Sequence, residues 1–142
     1  MVRPVDEFCG IPICFNEEYA GLARSVGLWP RKRIIIGTRF MVLKHEERIA
    51  VLLHETHHCR AFHLEKRILL IPFLWTKWIE KVCRQHELDA DSYASNNGFG
   101  AEMLSVIHKF FRNPIDEFYP TYEQRAENLL RLMHGGVNEA AA

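Results

Sequence analysis

Ile49-Ala50-Val51-Leu52-Leu53-His54-Glu55-Thr56-His57-His58, inside a longer run over residues 46–63, is the stretch whose period decides the fold. Ile49, Leu52, Leu53 and Thr56 recur at helical spacing, so residues 46–63 are expected to form one long, largely buried helix. Downstream, residues 74–95 also have a helical period, and Asn96-Asn97-Gly98 supplies a stop. A third helix is expected over residues 101–111, closed by Asn113-Pro114. The last begins near Thr121, where Pro120 and the Thr121 to Gln124 spacing form a capping-box entry, and ends at Gly135. Upstream, Asn16 is the expected N-cap of a helix over residues 17–26 that stops at Gly27. After a turn at Trp29-Pro30, the β-branched run Arg33-Ile34-Ile35-Ile36-Gly37 and then Phe40-Met41-Val42-Leu43 supply the strands. The expectation is a mainly helical α+β fold, a single domain over residues 1–142 with an irregular head (1–14) and a flexible tail (135–142).

Composition sets outer limits on function. A chain of 142 residues that is 48% apolar and 25% charged matches one ordinary globular unit. Basic and acidic residues number 18 each, so no global positive field is available to collect nucleic acid. The early acidic residues Asp6 and Glu7 and the lack of an apolar leader favour a cytoplasmic location. The apolar run 68–75 is interrupted by Pro72 and falls short of the roughly 20 residues a spanning helix needs. Residues 68–78, with Trp75 and Trp78, read first as core or dimer packing, which makes a homodimer possible, and second as a membrane-docking surface. Cys9, Cys14, Cys59 and Cys83 lack ribbon spacing and are expected to be reduced and mostly buried, with a Cys9–Cys14 bridge as the alternative.

His54-Glu55-Thr56-His57-His58 is an HExxH string, and its place on a helix is what gives it chemistry. Residues four apart stand about 6 Å apart along the axis on one face, so His54 and His58 can share an ion. Zinc accepts neutral imidazole and carboxylate in tetrahedral geometry and keeps a position for water in catalytic sites. Glu55, rotated about 100° from His54, can address that water as general base. The third ligand is expected in His86-Glu87-Leu88-Asp89-Ala90-Asp91, where Glu87 and Asp91 share a face of the second helix. His57, His63 and His86 are expected to pack or hydrogen-bond rather than bind metal.

Taken in order, the strand ending at Gly37, Glu46-Glu47, the HExxH string, His63, the ExxAD signature from Glu87 to Asp91 and Pro120-Thr121-Tyr122-Glu123-Gln124-Arg125 resemble the gluzincin metallopeptidases. The resemblance is to the CAAX prenyl protease and HtpX type, and among these to the small soluble minigluzincins. It covers roughly residues 17–134 and departs from the membrane members at Tyr119, where they often carry histidine. The resemblance implies a zincin-like fold in which the active-site helix packs on the glutamate helix. It further implies one zinc per chain on His54, His58 and Glu87, with Glu55 as base and Asp91 steadying a ligand histidine. The expected activity is endopeptidase cleavage of a peptide or protein substrate. Oxyanion donors are sought among Tyr119, Tyr93 and Arg125, with Tyr119 ranked first and Arg125 otherwise expected in support of the site. Substrate is expected on the edge at residues 33–37 or 40–43.

Rival readings remain: a solvated helix face with coincidental histidines, a structural zinc, a silent or tail-latched zinc-binding module, and a repressor-cleaving peptidase of the ImmA/IrrE type.

Overall fold

Residues 4–15 form a β-hairpin where an irregular head was expected. In the computed structural model, which describes residues 4–73, 75–113 and 117–138, strand β1 (Pro4–Phe8) pairs antiparallel with β2 (Ile11–Phe15). Phe8 faces Ile11, and the two turn residues between them, Cys9 and Gly10, have φ of 52° and 79°. Two positive φ angles in a two-residue loop twist in the sense that antiparallel strands need. Pro12 inside β2 and a cysteine in the turn hid this hairpin from a reading by pattern.

The second correction lies at residues 17–26, which do not make a helix. Asn16 caps only an Asx turn, its Oδ1 accepting the Glu18 amide at 2.9 Å. Residues 23–26 instead form strand β3 (Ala23–Val26), antiparallel to β4 (Arg33–Ile36). The Gly37 amide donates to Leu22 and the Thr38 amide to Tyr19, so pairing with the isoleucine strand captures backbone groups that a helix would have used internally. Gly37 is required there, because a Cβ would stand 2.2 Å from the Tyr19 carbonyl oxygen. Residues 40–43, expected as a strand, lie mostly in a 3-10 turn over Thr38–Val42.

The sheet order is β1-β2-β4-β3, with β2 and β4 parallel. Ile34, Ile35 and Ile36 are all buried, as an interior strand covered on both faces requires. Helix α1 (His45–Arg60) packs against β3 and β4 and also against α3 (Lys77–Ala94) and α4 (Gly100–Phe110). Between α1 and α3 lies α2 (His63–Leu69), and α5 (Tyr122–Asn138) packs on α3 and α4. Because neighbours surround α1, it is buried nearly all round, from Ala50 and Val51 to Thr56 and Cys59.

Helix ends follow local chemistry. The Glu47 carboxylate accepts the Lys44 amide at 3.0 Å at the start of α1. At α5 the Thr121 hydroxyl and the Gln124 side chain exchange bonds with each other's amides at 3.3 and 3.0 Å, the expected capping box. Gly98, at φ 90°, turns the chain from α3 into α4 through a wide turn over Ser95–Phe99. The expected helix over 46–63 breaks at Phe62, which adopts φ 57° and starts α2 at His63. The helix 74–95 begins at Lys77, and Leu74 and Pro114 lie outside the described residues. The tail expected from Gly135 is helical through Asn138, and residues 139–142 lie outside the described residues. No helix among the described residues is long and apolar enough to cross a membrane. All four cysteines are free, with Cys9 exposed and the others buried.

Glu47 ties α1 to α4. Its Oε1 accepts bonds from the Lys109 ammonium at 2.5 Å and the Ser105 hydroxyl at 2.7 Å, while the residue is 4% exposed. Burial alone would raise its pKa, but the Lys109 and Ser105 bonds outweigh it and bring the carboxyl down to about 2. A depressed carboxylate contributes stability that is present above its ordinary value of 4.5 and is lost as pH falls through about 2. Glu47→Gln is therefore expected to cost about 1–3 kcal/mol in urea unfolding at neutral pH. The gap to wild type should close between pH 4.5 and 2; a gap that persists in acid would assign the loss to packing.

Candidate metal centre

His54 and His58 lie one turn apart on α1, and α3 brings Glu87 against them. The two Nε2 atoms stand 3.0 Å apart, His54 Nε2 is 3.3 Å from Glu87 Oε2, and His58 Nε2 is 3.6 Å from Glu87 Oε1. All three residues are buried, and together they can hold a metal ion. The spacing was legible in the sequence because both pairings depend on ideal helices: His54 with His58 on α1, and Glu87 with Asp91 on α3.

Asp91 is completely buried and accepts a 2.9 Å bond from His54 Nδ1. In the neutral imidazole that a metal ligand must be, a proton held at Nδ1 leaves the lone pair of His54 at Nε2, toward the other two donors. Arg125, brought in by α5, grips Asp91 through two bonds, Nε to Oδ2 at 2.7 Å and Nη2 to Oδ1 at 2.6 Å. Burial opposes the Asp91 charge, but the Arg125 guanidinium prevails and keeps its pKa below the ordinary value. Arg125 is thus committed to Asp91, which supports His54.

On the other side, His58 Nδ1 lies 2.8 Å from His63 Nδ1. His63 is buried and stacks on His86, with ring centroids 3.9 Å apart and planes within 4°. Burial, followed by the charges of His86 and His58, lowers the pKa of His63 to about 2, so a neutral His63 ring shares the one proton of the Nδ1–Nδ1 contact with His58. The left-handed turn at Phe62 is what folds His63 back onto α1, and nothing in the identity of a phenylalanine signals that conformation. Arg67 of α2 donates to Glu87 Oε1 at 2.8 Å. Burial works against charge on both Glu87 and His54, yet their mutual bonds and Asp91 hold Glu87 well below the carboxylate range and raise His54 to about 10. The centre is built to attract positive charge.

Glu55 is buried at the wall of a cleft of 410 Å³ that the three metal-site residues also line. Tyr119 and Arg125 line it as well. Tyr93, also sought as an oxyanion donor, is not among the residues that line the cleft, and its hydroxyl accepts a bond from Arg60 Nη1 at 3.2 Å. Tyr19 is a wall residue that periodicity gave no reason to select, because its segment was read as a helix. Burial and the neighbouring Glu55 charge raise its pKa. Ala23, Arg24 and Ser25 of β3 line the cleft, whereas β4 lies inside the sheet between β2 and β3. The strand edge at the cleft is therefore β3 and not residues 33–37 or 40–43. No protein-family model and no curated protein matches the chain.

Proposed function

We propose that this chain is a zinc-dependent endopeptidase of the gluzincin type, with one zinc on His54, His58 and Glu87 and Glu55 as general base. The observation that carries this reading is the ligand triangle with Glu55 in the same cleft. Ligands at about 2.0–2.1 Å on a tetrahedral ion stand about 3.3 Å from one another. The two Nε2 atoms are 3.0 Å apart, and each has one Glu87 oxygen near that edge, Oε2 at 3.3 Å from His54 and Oε1 at 3.6 Å from His58. Two imidazoles and a carboxylate suit zinc, and three protein ligands rather than four suit a catalytic site.

When bound, zinc supplies a Lewis acid for a carbonyl and a water acidified to a pKa of about 7. Glu55 takes the proton of the attacking water and passes it to the leaving nitrogen. Tyr119 lines the cleft, and its hydroxyl would donate to the developing oxyanion. Asp91 and Arg125 fix the tautomer and orientation of His54, His63 does the same for His58, and Arg67 orients Glu87. An extended peptide joins the free side of β3, where main-chain bonds hold it without demanding a sequence.

The test is hydrolysis of casein and a quenched-peptide library by the zinc-loaded chain. Cleavage should stop with a zinc chelator and return when zinc is restored. Full zinc occupancy with no cleavage of any library member would leave a metal-binding module in place of an enzyme.

A further inference from the structure

The chain has three tryptophans, and all are exposed: Trp29 at 72%, Trp75 at 85% and Trp78 at 54%. Two of them belong to a run that ends α2 and enters α3. In the same run Ile68 and Leu69 close α2, and Ile71 and Phe73 occupy the following 3-10 turn over Ile71–Phe73, all of them exposed. The third, Trp29, is fastened to the start of α2 through its amide, which donates to Glu65 Oε1 at 3.1 Å. The expectation that residues 68–78 pack in the core is therefore not met. So many large apolar side chains in one short segment mark an interaction surface rather than the scattered apolar exposure of an ordinary face.

Charge distinguishes between occupants. Over residues 60–84, Arg60, Lys66, Arg67, Lys77, Lys81 and Arg84 stand against only Glu65 and Glu80, in a chain whose formal net charge is zero. Both acids are engaged, Glu65 with Lys32 at 2.8 Å and Glu80 with Arg84 at 3.7 Å, and Arg67 is held by Glu87. Among the described residues, Lys66, Lys77 and Lys81 are exposed and form no ion pair. A second copy seated symmetrically on this surface would bring the same lysines against one another, which like-charge repulsion disfavours. An anionic lipid surface satisfies both parts at once. Indole rings settle at the headgroup level, apolar side chains enter the acyl boundary, and ammonium groups meet lipid phosphates and carboxylates.

We propose that the α2–α3 junction docks this protein peripherally on an anionic lipid surface, through Trp75, Trp78 and their apolar neighbours, with Lys66, Lys77 and Lys81 binding headgroups. Leu64 and Arg67 of the same α2 line the cleft, so the docking segment and the metal centre share one helix. Docking itself does not depend on the peptidase reading.

The test is co-sedimentation of the full chain with phosphatidylcholine vesicles, with and without phosphatidylserine, alongside tryptophan emission. Binding should be on the order of 100-fold tighter on the anionic vesicles, weaken with salt, and shift the emission to the blue. Trp75→Ser/Trp78→Ser should lose at least about tenfold in vesicle affinity, and Lys77→Glu/Lys81→Glu should lose the preference for phosphatidylserine. Unchanged thermal melting of both variants excludes misfolding as the cause. No binding to either vesicle overturns the proposal, as does equal binding that survives the tryptophan changes. Lipid-free dimerisation abolished by Trp75→Ser/Trp78→Ser overturns it in favour of a protein partner.

Discussion

Glu55→Gln is expected to retain zinc at the wild-type level and to lose about 10²–10⁴-fold in kcat/KM on any peptide the wild type cleaves. The metal-site donors are His54, His58 and Glu87, and Glu55 is not among them, so its replacement leaves the triangle intact. Glutamine keeps the size and polarity of a side chain buried at the cleft wall but cannot accept a proton. The loss should therefore fall on turnover and leave folding unchanged. Metal analysis and steady-state kinetics on the same preparation separate the two. A variant that binds zinc and cleaves as fast as wild type would remove Glu55 from the chemistry.

Arg125→Met should have the largest effect on stability, about 3–5 kcal/mol in urea unfolding. Asp91 has no exposure, and Arg125 satisfies both of its carboxylate oxygens. Removing the guanidinium leaves an ionised carboxylate in the interior with His54 as its remaining charged partner. A melting temperature lower by on the order of 10 °C follows from that cost. Zinc affinity should fall about 10–100-fold, because Asp91 no longer holds the His54 ring from a fixed position. Asp91→Asn/Arg125→Met should recover part of the stability, since it removes the stranded charge as well. A cost below about 1 kcal/mol for the single change would mean that the pair is solvated and does not organise the centre.

How far sequence alone could lead is clear from particular residues. His54, His58, Glu87 and Asp91 were legible because each pair sits four apart on one helix, and helical geometry leaves little freedom. Arg125 was expected only through the resemblance carried by the segment Pro120 to Arg125, and the structure bonds it to Asp91. The strands were harder to read. β3 was read as helix because Tyr19, Leu22, Ala23 and Val26 have helical spacing, and only pairing with β4, a contact distant in sequence, decides otherwise. The hairpin at the head was hidden by Pro12. His63 and Arg67 join the centre because Phe62 adopts a left-handed conformation that no local residue preference announces.

The most direct measurement is zinc content after dialysis against excess metal and gel filtration, for wild type and for His54→Ala, His58→Ala and Glu87→Ala. One zinc per wild-type chain, lost in each of the three variants while their circular dichroism stays that of a folded protein, is the predicted result. Wild-type protein that retains no zinc, or variants that all keep a full equivalent, would contradict the assignment of His54, His58 and Glu87 as the metal site.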